Sequence, residues 1–227
     1  METIKNIFSI GMSPFAMQLA ASLVNEILNK SLAVYGGDLA IGAMGIINGI
    51  ATMIFMPIFG INQGSQPIIG FNYGAKLYTR VKSALKLAII AATSISTIGA
   101  LGAHIFPYAL VGLFNKTDVN LTNITVNGIR IFMILFPIVG FQIVSSNFFQ
   151  AIAKAKISMF LALLRQVIVL IPMLLILPKI FGLNGVWVAG PVSDGVSSIL
   201  TALFLAFEIK KLKLQKETVI SSDSEFQ

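Results

Sequence analysis

Six apolar runs, at about 8–34, 40–72, 81–106, 124–151, 157–179 and 184–208, take up most of the chain, and the connections between them are short. A hydrocarbon core about 30 Å thick needs roughly 20 apolar residues per helix. Inside that core each backbone N–H and C=O must find its partner within the protein. The pattern therefore predicts an all-α integral membrane protein, a compact six-transmembrane-helix bundle over residues 1–211, with the lipid bilayer as its first partner. Composition agrees: 56% of the 227 residues are hydrophobic and 11% charged, with a mean hydropathy of +0.87, outside the range of soluble domains. After Leu214 the chain turns polar and acidic, through Ser221, Ser222, Asp223, Ser224 and Glu225, so 212–227 is expected to be a disordered cytoplasmic tail. No small-residue cleavage site follows a short apolar core at the start, so the first span is expected to stay in the product.

The formal charge of +7 has a topological explanation. Lys5 precedes the first run; Lys76, Arg80, Lys82 and Lys86 follow the second; Lys154 and Lys156 follow the fourth; Lys210, Lys211, Lys213 and Lys216 follow the sixth. The opposite side holds Lys30, Lys116 and Lys179, and Arg130 and Arg165 fall within runs. Eleven cations against three place both termini on the cytoplasmic side of a plasma membrane by the positive-inside rule. Nucleic acid is not an expected partner. The chain has no cysteine and one histidine, His104, so thiolate and multi-histidine metal sites and a Ser-His-Asp triad lack their parts. Asp194 has no second central aspartate with which to form a catalytic pair, so neither an enzyme nor a cofactor is expected.

Residues 40–72 would extend roughly 50 Å as a helix, too far for one straight crossing. Pro57 and Pro67 are the expected bends, and Gly60, Gly64, Gly70 and Gly74 the expected sites of close helix contact or unwinding. A short amphipathic piece is expected over 106–114, then a polar loop over 115–123. His104, Tyr108 and Trp187 read as interfacial side chains.

Polar residues within the runs are candidates for function. Gln18, Ser22, Asn25 and Asn29 recur at steps of four, three and four and share one helical face, with Glu26 beside them. An ionisable group inside a span marks a functional site by default; the plainer reading pairs Glu26 with Lys30 or sets it in headgroup water. Gln142, Ser146 and Gln150 repeat the pattern in the fourth run, alongside Asn147, fitted either to hold a polyatomic ligand or to tie helices together. Asp194 either relays protons or is buried against Ser197, Ser198 or an arginine, with Arg165 as the obvious partner in a structural ion pair.

Three stretches, Gly60 to Lys86, Asn147-Phe-Phe-Gln-Ala-Ile-Ala-Lys154, and Leu164-Arg-Gln-Val-Ile-Val-Leu-Ile-Pro172 continuing through Leu177-Pro178 to Gly182-Leu-Asn-Gly-Val-Trp187, resemble the MATE (multidrug and toxic compound extrusion) transporters, in their MepA-like branch. The resemblance covers about residues 5–211 and looks like the C-terminal six-helix lobe of a twelve-helix transporter. It implies exchange of protons or sodium for cationic, amphipathic drugs by alternating access between two lobes. The implied partners are an N-terminal lobe or a second copy of the chain, and organic cations. The family's proton-linked acid of the first helix has no counterpart here. Its sodium-linked acids would fall in the first and fourth runs. Glu26 lies about a turn beyond the matching place and the fourth run has no carboxylate, so no sodium site is carried over. Gln63, Gln66 and Asn72 match a motif of mainly structural role. A non-transporting or degenerate half-transporter, and a lipid-linked oligosaccharide flippase of the same superfamily, are the alternative readings.

Overall fold

A computed structural model of the chain describes residues 18–212. Helix α1 (Glu2–Gly74) leaves helical geometry once, at Gly37, with φ 64° and ψ −163°. That region is open to glycine without a Cβ clash. Ala21, Asn25 and Leu28 of the first arm line the same cavity as Met44, Asn48 and Phe55 of the second. A straight helix would hold Ala21 and Phe55 about 50 Å apart, so the chain reverses at Gly37 and α1 forms a helical hairpin. Neither Pro57 nor Pro67 takes non-helical angles, so the reversal lies at a glycine rather than at either expected proline. Of the four expected contact glycines, Gly70 alone approaches a neighbour, with room for a Cβ only 3.1 Å from the Ala151 carbonyl oxygen, while Gly60, Gly64 and Gly74 face open space.

Helix α2 (Tyr78–Ile105) carries the third apolar run, and α3 (Pro107–Gly112) is the short piece after it. The connection then ends earlier than expected, because Asp118 caps α4 (Val119–Phe132), its carboxylate accepting from the Leu121 N–H at 3.0 Å. Such a cap satisfies one of the four orphan donors at a helix start. The fourth run is broken: α4 and α5 (Phe136–Ala151) meet at 56°, with Pro137 in the first turn of α5, where its missing N–H is harmless. The fifth run is α6 (Ala155–Leu163), a seven-residue π-helix (Leu164–Leu170) and α7 (Ile171–Phe181). Pro172 gives a local cause for the widened turns, since it cannot donate to the carbonyl four residues earlier. Helix α8 (Leu183–Ser224) carries the sixth. The tail expected over 212–227 lies, beyond Leu212, outside the described residues.

Counting the two arms of α1, α2, the bent α4–α5 unit, the α6–α7 unit and α8, the described residues form a six-segment helical membrane bundle. Two apolar clusters hold it together. Leu32, Ile47, Ile129, Met133, Phe136 and Trp187 centre one, and Ile58, Val81, Phe148, Phe149, Leu161 and Leu205 the other. Trp187 corrects the interfacial expectation: it is fully buried, its indole against the Gly128 backbone, where a Cβ would come within 3.3 Å of the ring. His104 is half-buried, with Nδ1 2.8 Å from the Ala100 carbonyl and Nε2 3.2 Å from that of Arg130, tying α2 to α4. Tyr108 is exposed.

A pair of cavities joined at one arginine

Helix α5 is polar on one side because Gln142, Ser146 and Gln150 follow the four-residue step. The structure brings all three, with Asn147, onto one cavity of about 270 Å³, walled by Phe55, Phe59, Ser158 and Met159. Gln142 is 3% exposed and its Oε1 has no hydrogen-bond partner among the described residues, a position in which a polar atom is costly unless something else fills the space. Asn147 turns its amide to its own helix, donating to the Ile143 carbonyl at 3.0 Å.

A second cavity, of about 280 Å³, lies between the α1 hairpin, the π-helix and α8, and is lined by Asn25, Asn48, Phe136, Gln166 and Asp194 among others. Arg165 lines both cavities. Its Nε donates to Asp194 Oδ1 at 2.6 Å, and its backbone carbonyl accepts from Ser193 Oγ at 2.6 Å. Consecutive residues of α8 thus clamp both ends of one residue in the π-helix, forming the ion pair expected from the sequence. Among the described residues, Arg165 and Asp194 are the only charged side chains lining either cavity, and there is no cluster of three metal-ligating side chains.

The first-arm polar face behaves differently. Gln18, Ser22, Asn25, Glu26 and Asn29 are all exposed, while Ala20, Val24 and Leu32 provide the packed side. Of these polar residues only Asn25 reaches a cavity. Glu26 makes no ion pair with Lys30; the two ion pairs among the described residues are Arg165–Asp194 and Lys154–Glu208. Gln63 is exposed, and Gln66 and Asn72 are half-buried beyond both cavities. Asn72 Nδ2 donates to the Ile68 carbonyl at 2.8 Å, and the Asn72 carbonyl accepts from the Leu77 N–H at 2.9 Å, closing the turn into α2.

Sequence reasoning missed three features. Asn48 and Gln166 line the second cavity, and each was visible as an isolated amide within an apolar run. Lys154 joins Glu208 across 54 residues, its Nζ 2.5 Å from both carboxylate oxygens. Helix α8 also buries Thr201 in line with Asp194 and with the Ser197 and Ser198 expected beside it, the three hydroxyl oxygens without partners among the described residues.

The MatE family profile matches residues 14–176. A multidrug export protein, MepA, of Staphylococcus haemolyticus (strain JCSC1435) is 25% identical over 217 residues, covering 95% of this chain and 47% of that protein. A MATE multidrug transporter, DinF-BH, solved as a complex, superposes with a TM-score of 0.78 at 37% identity, over 91% of this chain and 46% of that one. A MATE family transporter in an inward-facing conformation superposes with a TM-score of 0.85 at 21% identity, over 93% and 49%. The chain spans about half the length of the curated relatives it matches.

Proposed function

The chain belongs to the MatE family, and on that premise we propose that it is a transport module of a multidrug efflux antiporter, one lobe that completes its substrate chamber against a second. The observation that carries this reading is a mismatch. The first arm of α1 packs Ala20, Val24 and Leu32 inward, yet leaves Gln18, Ser22, Asn25, Glu26 and Asn29 uncovered on its other side. A polar stripe facing lipid is unfavourable, whereas one facing a wet chamber between two lobes is satisfied. The two cavities are also of the right character. Aromatic, methionine and neutral amide side chains hold amphipathic molecules by packing and a few polar contacts.

Six crossings return the chain to its starting side, so a second copy inserts in the same orientation and two chains could pair about a twofold axis; a separate N-terminal lobe serves the same purpose. Rocking of the lobes about the chamber then exposes it alternately to each side. The excess of cations on the terminal side supports cytoplasmic termini in a plasma membrane. Protons or sodium ions provide the driving gradient, with Glu26 as this lobe's contribution, and organic cations are the substrates.

The test is uptake of a fluorescent organic cation into inverted vesicles bearing this chain, alone and with a co-expressed N-terminal lobe. Gradient-dependent accumulation in either preparation is expected. Its absence in both favours the second reading, a non-transporting half, which the half-length match to the relatives supports.

A further inference from the structure

The end of the bundle where α1 passes into α2 and α5 into α6 gathers cations that no acid answers. Gly70, just before the first of these turns, has room for a Cβ only 3.1 Å from the carbonyl oxygen of Ala151, which opens the second. Lys154 in the second turn reaches Glu208 of α8. Val81, Leu85, Ile152, Leu205 and Leu212 share one apolar cluster behind all three segments. Around it Lys76, Arg80, Lys86, Lys156, Lys210 and Lys211 are exposed, and none of them makes an ion pair among the described residues. Glu208 is the acid described at this end; it is buried, and Lys154 engages both of its oxygens. A surface whose acid is already spent on one cation presents the rest as a positive field.

Cations in a turn need only water, but this surface has an apolar side as well. Phe71 keeps 77% of its accessible surface and Leu77 42%. The turn that carries them beside Lys76 and Arg80 is held in one shape. The Leu77 N–H donates to the Asn72 carbonyl at 2.9 Å, the Arg80 N–H donates to the Leu77 carbonyl at 3.0 Å, and the rings of Tyr73 and Tyr78 meet edge-on with centroids 6.0 Å apart. We propose that this end of the bundle binds an anionic phospholipid, with its phosphodiester on Lys76, Arg80 and Lys156 and an acyl chain against Phe71 and Leu77. A guanidinium fork matches two phosphate oxygens, and the two ammonium groups add point charges. Clustered cations beside membrane-spanning helices attract acidic lipids in this way. The exposed Phe71 and Leu77 select a ligand with a hydrocarbon tail over a free anion. None of these residues lines either cavity, so the site is independent of the substrate chamber and leaves its ligands unchanged.

The purified full chain in detergent is titrated with phosphatidylglycerol and, separately, with phosphatidylcholine of the same acyl chains, and bound lipid is counted by native mass spectrometry. Phosphatidylglycerol is expected to bind about tenfold more tightly. The double variant Lys76→Asn with Arg80→Gln should remove most of that preference, asparagine being chosen because it accepts the φ of 57° at position 76. Lys116→Gln with Lys179→Gln takes the same charge from the opposite end of the bundle and should leave the preference as it is. All four positions are exposed, so both variants keep the packed core. Equal binding of the two lipids, an undiminished preference in the first variant, or as large a loss in the second overturns the proposal. Inorganic phosphate at millimolar concentration should not displace phosphatidylglycerol; displacement would overturn the lipid assignment in favour of a free anion.

Discussion

The Lys154–Glu208 pair closes on itself, whereas the Arg165–Asp194 pair stays open. The ammonium of Lys154 meets both carboxylate oxygens of Glu208 at 2.5 Å, and together they fasten the turn after α5 to α8. Arg165 gives Asp194 one N–H at 2.6 Å and lines two cavities. In both pairs the acid is the better hidden partner, at 9% and 6% side-chain exposure, and the base the more accessible one, at 28% and 33%. The difference lies in the base. A compact ammonium spends two of its three donors on one carboxylate, while a planar fork of five gives Asp194 one. The first pair is a clasp, and the second is a clasp that also borders two cavities.

Removing the bases separates the two. Arg165→Ala strands the buried Asp194 and should destabilise the chain by about 3–5 kcal/mol, read as thermal unfolding in detergent. Lys154→Ala strands Glu208, which is a little less buried than Asp194 at 9% against 6% side-chain exposure, and a smaller loss of about 1–3 kcal/mol is expected. A larger loss for Lys154→Ala would invert the comparison. Exchanging the partners sharpens it further. Lys154→Glu with Glu208→Lys should restore stability to within about 1 kcal/mol of the parent chain, because a point charge has little directional demand. Arg165→Asp with Asp194→Arg should not, since the fork then starts from α8 rather than the π-helix and loses the Ser193 clamp on its backbone. The smallest effect on folding belongs to Glu26→Gln, which should leave the melting temperature unchanged. In vesicles that transport, it should weaken the dependence on the proton or sodium gradient, and an unchanged dependence would remove Glu26 from coupling.

Several parts of the fold are legible because they depend on local pattern. The apolar runs carry the helices, since a bilayer-length stretch of aliphatic residues has few other ways to satisfy its backbone. Gln142, Ser146 and Gln150 share a cavity because a step of four places side chains on one helical face. The Arg165–Asp194 pair follows from two opposite charges that cannot stay unpaired in a bundle. The reversal within α1 is not legible in the same way, because proline is the stronger breaker in the sequence while Gly37, with φ at 64°, makes the turn. Composition sets Trp187 at an interface, yet the small Gly128 opposite it opens room in the core. Gln18 lies on the face that holds Asn25, as its spacing requires, with Glu26 beside it, but of the three only Asn25 reaches a cavity.

By itself the sequence determined that this chain lies in a membrane, which side carries its cations, which residues share each helical face and to which family it belongs. The first three follow from hydropathy, charge order and helical period, all of which act over a few turns, while the family follows from the motif stretches that resemble it. Tertiary structure alone decided which faces meet. Lys154 and Glu208 are 54 residues apart and Arg165 and Asp194 are 29 apart, and helix register sets both pairings. It also decided that one arginine borders two cavities, which depends on a π-helix ahead of Pro172 and on Ser193 and Asp194 arriving together from α8. Side chains at such separations are brought together by packing, and packing has no local signature.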